Sequence, residues 1–253
     1  MLLRLSCLLA GLSAVGAAAL GGCNSKPVAS ADRVLTATVA LSNETALIIN
    51  APVAIVVSGA RRLDQIYVRA EVTITASSAD TAKRQAAALT LSEERVAADR
   101  VLRLTLPGSA DDTTGRITLE VPADLDLGLN GGSTIEASGM DGSYDVRALS
   151  TVLIADAQRD VVVRTSGGIR LTTRASPGTT TDLEQGVGDL ELILPALPSV
   201  QFQAATGSGQ ILIAHPQLPP WSGGTNPYQV SVNGGLAAVR LVTQSGNVVI
   251  RGE

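Results

Sequence analysis

The chain has 253 residues, with 19 Lys and Arg against 23 Asp and Glu, and its formal net charge is −4 at pH 7. The length suits one domain, and the weakly acidic balance argues against nucleic acid as a partner, because nucleic-acid binding depends on basic patches. With two cysteines and one histidine, the chain lacks the residues for a disulfide framework or a His-Glu-x-x-His zinc site. We therefore expect no metal and no cofactor.

The N-terminus carries an export signal. A basic residue, Arg4, precedes an apolar run over residues 5–20, which leads into Gly21-Gly22-Cys23. This pattern predicts a signal peptide over residues 1–22 that ends in a lipobox, and it resembles the bacterial lipoprotein class, in which the cysteine takes the lipid. An uncleaved membrane anchor is the alternative, although the run is short and rich in Gly and Ala.

Lipid on Cys23 would make the protein an exported, lipid-anchored component of a bacterial membrane. Asn24, rather than an aspartate, follows the cysteine. This favours the outer membrane where one exists, with the protein facing the periplasm or the cell surface. Residues 23–33 then form a polar tether, and residues 34–253 form the folded domain.

The first part of the domain, residues 34–122, is rich in alternating apolar and polar residues, which is typical of half-buried strands. One helix interrupts these strands. Ser77 and Asp80 form a capping-box pattern, and four apolar residues then fall on one helix face: Ala79, Ala82, Ala86 and Leu89. We expect this helix to cover an open end of the strand stack.

The second part, residues 123–253, repeats one five-residue phrase six times: Gly or Ser, a small or polar residue, an aliphatic residue, any residue, and an apolar residue. The first aliphatics are spaced 17, 17, 21, 21 and 37 residues apart, and they are Ile135, Val152, Ile169, Leu190, Ile211 and Val248. A near-constant period predicts an all-β β-solenoid of stacked 17–21-residue coils, with these aliphatics in one continuous core. A β-sandwich is the alternative, although its strands and connections vary more in length.

The 37-residue interval contains an insertion from His215 to Tyr228 that is rich in proline. Proline cannot join a strand ladder, so the insertion is predicted to be a loop. Trp221 and Tyr228 are candidate binding residues because the loop could present them to a partner, while the alternative is that they fold back over the last coils as a lid. His215 is interpreted as a solvated loop histidine rather than a member of a catalytic triad.

Four apolar residues occupy positions where an outward, polar residue is expected: Leu153, Val162, Leu212 and Val249. Two interpretations are open. Another layer of the chain covers them, or they form an exposed apolar stripe that binds a partner.

Two groups of acidic residues are candidates for chemistry. Asp111 and Asp112 could hold calcium in a turn, but the repeat pattern that binds calcium along a β-helix is absent, so solvated turn residues are favoured. Asp182, Glu184 and Asp189 flank one coil and could act as paired carboxylates for glycoside cleavage. The few aromatic residues leave this group without walls for a sugar, so no catalytic residue is predicted.

The order of these segments resembles a known family. A start of Ala46-Leu-Ile-Ile-Asn50 and Val53-Ala-Ile-Val-Val57, a helix, a Val-Pro strand end and repeated Ser-Gly-x-Val-x-Ile coils are similar to the bacterial "putative-adhesin" family of β-strand-repeat domains of unknown function. The resemblance covers about residues 45–253, and the head-GIN autotransporter-adhesin type is its neighbour. It implies a right-handed β-helix-like stack in the cell envelope without catalytic residues.

The sequence therefore predicts a lipid-anchored envelope protein that acts as a non-enzymatic, adhesin-like binding or structural module. Its membrane contact is the lipid, and its partner is an envelope protein or a glycan. Two alternatives stay open, a polysaccharide-active β-helix enzyme and a docking accessory for another membrane protein.

We predict that Cys23 is the mature N-terminus and carries the lipid. Mass spectrometry of the native protein should find an N-terminal Cys23 with acyl chains, and Cys23→Ser should release the protein from membranes. Cys7→Ser is the matched control, because that residue lies inside the predicted signal peptide, and it should leave the protein membrane-bound. An intact Met1 in the native protein would contradict the prediction.

Overall fold

The structure is a computed structural model. It describes residues 29–105, 112–221 and 227–253, without the side chain of Asp112. The predicted signal peptide, the lipidation site at Cys23 and the calcium candidates Asp111 and Asp112 therefore lie outside the described residues or side chains. The described residues form one helix and twenty strands, and the strands make up two ten-stranded sheets. An all-β fold with one short helix is confirmed.

The strands are β1 Ala29–Ala40, β2 Ala46–Ala51, β3 Ala54–Ala60, β4 Gln65–Ala76, β5 Thr90–Val96, β6 Asp99–Thr105, β7 Asp112–Pro122, β8 Asp126–Gly131, β9 Ile135–Ser138, β10 Tyr144–Ala148, β11 Val152–Ala157, β12 Val161–Thr165, β13 Ile169–Thr173, β14 Thr180–Val187, β15 Leu190–Leu194, β16 Val200–Ser208, β17 Ile211–Ala214, β18 Tyr228–Val232, β19 Ala237–Ser245 and β20 Val248–Gly252. The helix, α1, is Ala79–Ala87.

Consecutive strands alternate between the two sheets through most of the chain. Sheet A has the order β1-β4-β7-β3-β9-β11-β13-β15-β20-β17, and sheet B has the order β18-β16-β19-β14-β12-β10-β8-β2-β6-β5. We call a strand of sheet B and the strand of sheet A that directly follows it a rung, as in β12 followed by β13. Strands of neighbouring rungs pair in parallel.

A uniform solenoid is not confirmed, because both sheets mix parallel and antiparallel pairs. Strands β1 and β4 extend sheet A in antiparallel fashion, and β5 and β18 do the same at the two edges of sheet B. The repeated phrase covers only the parallel rungs. The edge strands carry no such phrase, and they reverse direction through turns. The prediction therefore applied the pattern of the parallel rungs to strands that pair in antiparallel fashion.

The first aliphatic of every repeated phrase lies in one row across sheet A. The backbone register aligns the row across the paired strands as Ile55, Ile135, Val152, Ile169, Leu190, Val248 and Ile211. All seven side chains are buried in one hydrophobic cluster that also contains the inward residues of sheet B. The predicted core positions are confirmed, and Ile55 adds one that lies outside the six copies.

The order of the last rungs differs from the order along the chain. The rung β19–β20 lies between β14–β15 and β16–β17, so Val248 sits between Leu190 and Ile211 in the row. The chain leaves β17, forms the edge strand β18, and returns to insert β19 and β20 one position further in. The last two rungs match each other at a constant offset of 37 residues, as in Thr206 with Thr243. The phrase alone therefore does not distinguish their positions.

Glycines at the corners between the sheets let the rungs stack closely. Gly246 has φ +135°, a conformation that side-chain-bearing residues rarely adopt, and a Cβ there would overlap the carbonyl oxygen of Gly188 in the neighbouring rung. A Cβ at Gly209, with φ +143°, would overlap the carbonyl oxygen of Gly246 in turn. The glycine of the phrase is thus required by the backbone of the next rung.

The helix α1 begins one residue later than the capping pattern indicated. Ser78 is the N-cap, because its backbone is extended and its hydroxyl accepts a hydrogen bond from the Thr81 N–H at 3.2 Å. Ala82 and Ala86 are buried and pack against β1 and β4, whereas Ala79 is exposed. Strand β1 begins at Ala29, so the last residues of the predicted tether, 29–33, lie in a strand.

A buried carboxylate links the turn between β1 and β2 to β6. Glu44 has a fully buried side chain, accepts hydrogen bonds from the N–H groups of Ser42 at 2.6 Å and Asn43 at 3.1 Å, and forms an ion pair with Arg100 at 2.6 Å. The Ser42 N–H contributes most to lowering the pKa of Glu44 to about 2, burial opposes the shift, and the Arg100 charge adds to it. The folded state therefore favours the ionised form.

We predict that Ile169→Ala destabilises the fold by about 2–5 kcal/mol, because it removes a buried side chain from the row. Arg170→Ala at the next position should cost less than about 1 kcal/mol, because that side chain is largely exposed and makes an ion pair with Glu191 at the surface. Denaturant melts of both variants measure the difference. Equal losses would contradict the observed register.

We also predict that Glu44 makes stability depend on pH in the acid range. The folded pKa of about 2 lies below the ordinary value of 4.5, so the stabilisation is complete above about pH 5 and is lost as the pH falls towards 2. Glu44→Gln should remove this part of the acid dependence, measured as melts from pH 7 to pH 2.5. Glu94→Gln, at an exposed position on β5, is the control, and an unchanged acid dependence in Glu44→Gln would contradict the assignment.

Candidate functional site

The described part of the insertion folds back against the end of the core. Tyr228 is 7% exposed, its ring packs edge-to-face on Phe202 with centroids 6.0 Å apart, and its hydroxyl donates a hydrogen bond to the Pro219 carbonyl at 2.7 Å. Burial raises the pKa of the Tyr228 hydroxyl. Leu218 is buried, and Trp221 is half-buried against the core cluster. This arrangement agrees with the lid interpretation, and the buried Tyr228 side chain is not available to a partner.

His215 is buried, so its interpretation as a solvated loop histidine is wrong. Its Nδ1 accepts a hydrogen bond from the Gln217 N–H at 3.1 Å, and its Nε2 lies 3.0 Å from the Pro195 carbonyl oxygen. These partners fit a neutral imidazole that carries its proton on Nε2. Both ring nitrogens are used to hold the start of the insertion against the end of β15, which leaves neither for a triad.

The four outward apolar residues do not form one stripe. Val162 lies on sheet B, whereas Leu153, Val249 and Leu212 share a register row on the outer face of sheet A. Arg170 and Glu191 occupy the two positions between Leu153 and Val249 in that row, and they form an ion pair at 3.3 Å. The row is thus divided by charge, with Leu212, 45% exposed, next to Val249 at its end.

The outer face of sheet B carries a cluster of four charges on three neighbouring strands. Asp182 and Glu184 point outward from β14, Arg164 lies beside them on β12, and Arg240 lies on the other side on β19. Asp182 forms ion pairs with Arg164 at 2.5 Å and Arg240 at 2.7 Å, and Glu184 lies 3.4 Å from Arg164 and 3.8 Å from Arg240. We call these four residues the charge quartet, and its formal charges cancel.

The quartet changes what the two acids can do. Partial burial raises the pKa of Asp182, but hydrogen bonds from Arg164 and Arg240 outweigh it and lower the pKa below its ordinary value. Glycoside cleavage requires one carboxyl group with a raised pKa to protonate the leaving oxygen. Asp182 has a lowered pKa instead, which favours its ionised form. Both carboxylates also already have cationic partners.

Asp189, the third acid of the predicted group, is not brought to the other two. It lies in the corner between β14 and β15, where its Oδ1 accepts hydrogen bonds from the Asn247 backbone N–H at 2.9 Å and side-chain amide at 3.1 Å. Extended β14 places the corner more than about 15 Å from Asp182. Asp189 therefore joins the inserted rung to its neighbour, which is a structural role.

Sequence reasoning missed the two arginines of the quartet. Arg164 and Arg240 are 18 and 58 residues from Asp182, and only the strand order places one on each side of it. A signal was present, because both arginines occupy outward positions of strands that precede a repeated phrase, β12 and β19. It could be used only with the register of the rungs in hand.

Two further properties of the described residues bear on the site. Within residues 29–105, 112–221 and 227–253, no three His, Cys, Asp or Glu side chains come together as metal ligands. No helix in these ranges is both long and apolar enough to cross a membrane.

Comparison with known proteins finds a similar fold among solved structures. A protein described as "a putative cell adhesion protein" from Clostridium sporogenes aligns with a TM-score of 0.50 and 14% identity, over 88% of this chain and 100% of that chain. A protein described as "a putative adhesin" from Bacteroides fragilis aligns with a TM-score of 0.42 and 8% identity, over 87% and 97% of the two chains. At 14% identity, the similarity to the Clostridium sporogenes protein shows the fold alone. No family model and no curated protein matches the sequence.

Proposed function

We propose that the protein is an exported, lipid-anchored, non-enzymatic binding module of the adhesin type. The observation that carries the proposal is the charge quartet. Arg164 and Arg240 lower the pKa of Asp182 and hold it ionised, and Glu184 lies 3.4 Å and 3.8 Å from the same two arginines. Asp182 is therefore held in the state that cannot donate a proton for cleavage.

The fold supports the same function. The similar structure from Clostridium sporogenes is described as "a putative cell adhesion protein", and the likeness spans all of that chain. Two broad sheets whose outer faces carry charged and polar side chains suit the binding of extended ligands, because the core lies between the sheets and does not need the outer side chains. The right-handed β-helix-like arrangement of the central rungs is the finer form of this fold that we propose.

Export and anchoring rest on the N-terminal sequence. Cys23 follows the predicted signal peptide, and a lipid there would hold the module at the surface of a membrane. Five residues separate Cys23 from Ala29 at the start of β1, and such a short connection reaches about 20 Å at most. The lipid would thus keep the start of β1 close to the membrane.

The full-length protein, purified with its lipid and displayed on liposomes, tests this function. We expect saturable retention on immobilised bacterial envelope fractions or polysaccharides, and no release of reducing ends from the same polysaccharides. Liposomes without the protein give the background. Absence of retention on every surface would contradict the binding function.

The enzyme alternative makes a different prediction for the quartet. If the face cleaves polysaccharide, the unaltered protein should release reducing ends, and the Asp182→Asn and Glu184→Gln variants should not. Glu120→Gln is the matched control, because Glu120 is an exposed carboxylate on the outer face of sheet A. Cleavage with this pattern of variants would overturn the non-enzymatic proposal.

A further inference from the structure

A shallow depression lies beside the charge quartet on the outer face of sheet B. It has a volume of about 530 Å³ and spans four neighbouring strands, β14, β19, β16 and β18. The volume lies within the range of ligand sites in proteins. Its floor is low because Ala238, in the middle of the depression, carries only a methyl group.

The register arranges the side chains around the depression in two parallel rows. One row across the four strands is Thr180, Ala238, Gln201 and Ser231, and the next is Asp182, Arg240, Gln203 and Gln229. With strands about 4.8 Å apart, each row is about 14 Å long. A short oligosaccharide can lie along such a row and contact all four strands.

Three amides in these rows have no partner within the described chain. The side chains of Gln201, Gln203 and Gln229 make no hydrogen bond to any described residue, although Gln203 and Gln229 are directly opposite each other. Elsewhere on the same face such groups pair, as the Asn130 amide does with Asn50 at 3.0 Å. Each free amide offers both donors and an acceptor, which is the combination that a sugar hydroxyl requires.

The backbone and the apolar side chains are not available to a ligand here. Strand β16, in the middle of the depression, is paired on both sides by β18 and β19, so a peptide strand could join the sheet only at the far edge of β18, beside the depression and not in it. Phe202 and Val239, which lie under the depression, are 1% and 2% exposed and face the core. A ligand must therefore be recognised through the polar side chains.

The charge of the surroundings decides between charged and neutral ligands. Arg240 is the cation at the depression, and it is already paired with Asp182 and close to Glu184. An anionic ligand would meet the two carboxylates, and a cationic ligand would meet Arg164 and Arg240. The cancelled charge favours a ligand without charge.

We propose that this depression binds a neutral oligosaccharide, with the amides of Gln201, Gln203 and Gln229 as its hydrogen-bonding residues. The site deepens the proposed function and rests on it, because it names the ligand class of the binding module. It is assembled only because β19 is inserted between β14 and β16, which brings Arg240 and Ala238 next to Gln203 and Gln201.

The test uses the detergent-solubilised full-length protein and a panel of neutral oligosaccharides of glucose, mannose, galactose and N-acetylglucosamine, with binding measured by calorimetry. We expect the double variant Gln203→Ala, Gln229→Ala to bind the best oligosaccharide about ten-fold more weakly, since two hydrogen bonds are lost. Ala238→Trp should abolish binding by filling the depression. Gln244→Ala is the matched control, because Gln244 is an exposed glutamine further along β19 that does not line the depression.

The outcomes separate this proposal from the proposed function. Loss of binding in both site variants, with unchanged denaturation midpoints and normal binding by Gln244→Ala, supports the site. Failure of every neutral oligosaccharide to bind at millimolar concentration overturns it, as does unchanged affinity in the site variants. In either case, retention of the lipidated protein on envelope fractions would still support an adhesin-type module that binds elsewhere.

Discussion

The whole architecture depends on one constraint, which is that the aliphatic side chain after each corner occupies the same register position as its equivalents in the neighbouring rungs. A single rung has too little apolar surface to bury, and each rung becomes stable only when its Ile, Val or Leu packs beside its equivalent in a neighbouring rung. The row from Ile55 to Ile211 meets this constraint across seven strands. The corner glycines follow from it, because such close stacking leaves no room for a Cβ at Gly246 or Gly209.

Stacking in register also determines the outer faces. Because side chains alternate along a strand, fixing the inward residues fixes the outward ones, and outward residues of neighbouring rungs become cross-strand neighbours. This is why Arg164, Asp182 and Arg240, which are distant in sequence, form ion pairs. It is also why the amides of Gln201, Gln203 and Gln229, which have no partner among the described residues, meet beside them. The chemistry of the surface is therefore a product of the core.

The parts of the structure that sequence could predict are those set by local pattern. The repeated phrase correctly placed Ile135, Val152 and Ile169 in the core, and the apolar periodicity placed Ala82 and Ala86 on the buried face of α1. Ser78 replaced Ser77 as the cap because the choice between adjacent serines depends on backbone direction, which residue types alone do not specify.

The parts that could not be predicted depend on non-local pairing. The rungs that contain Ile211 and Val248 carry nearly the same phrase, so their order depends on the path of the chain through β18. The burial of His215 and Tyr228 depends on how the insertion crosses the end of the core. The charge quartet and the amide rows require the strand order as well, so the candidate site was beyond what the phrase could indicate.

The insertion of β19–β20 between two rungs that are synthesised earlier has a consequence for how the chain folds. Strands β14 and β15 present an open parallel edge as soon as they are made, and β16–β17, which is made next, carries a phrase that fits the same register. The edge is therefore open to pairing with β16–β17 before its native partner, β19–β20, has been synthesised. The native order requires that β16–β17 wait or be displaced, and such late, long-range pairing slows folding and favours trapped intermediates. A chain that stops before residue 237 would lose a strand pair from the interior of both sheets, and its remaining strands would be free to close up in the wrong order.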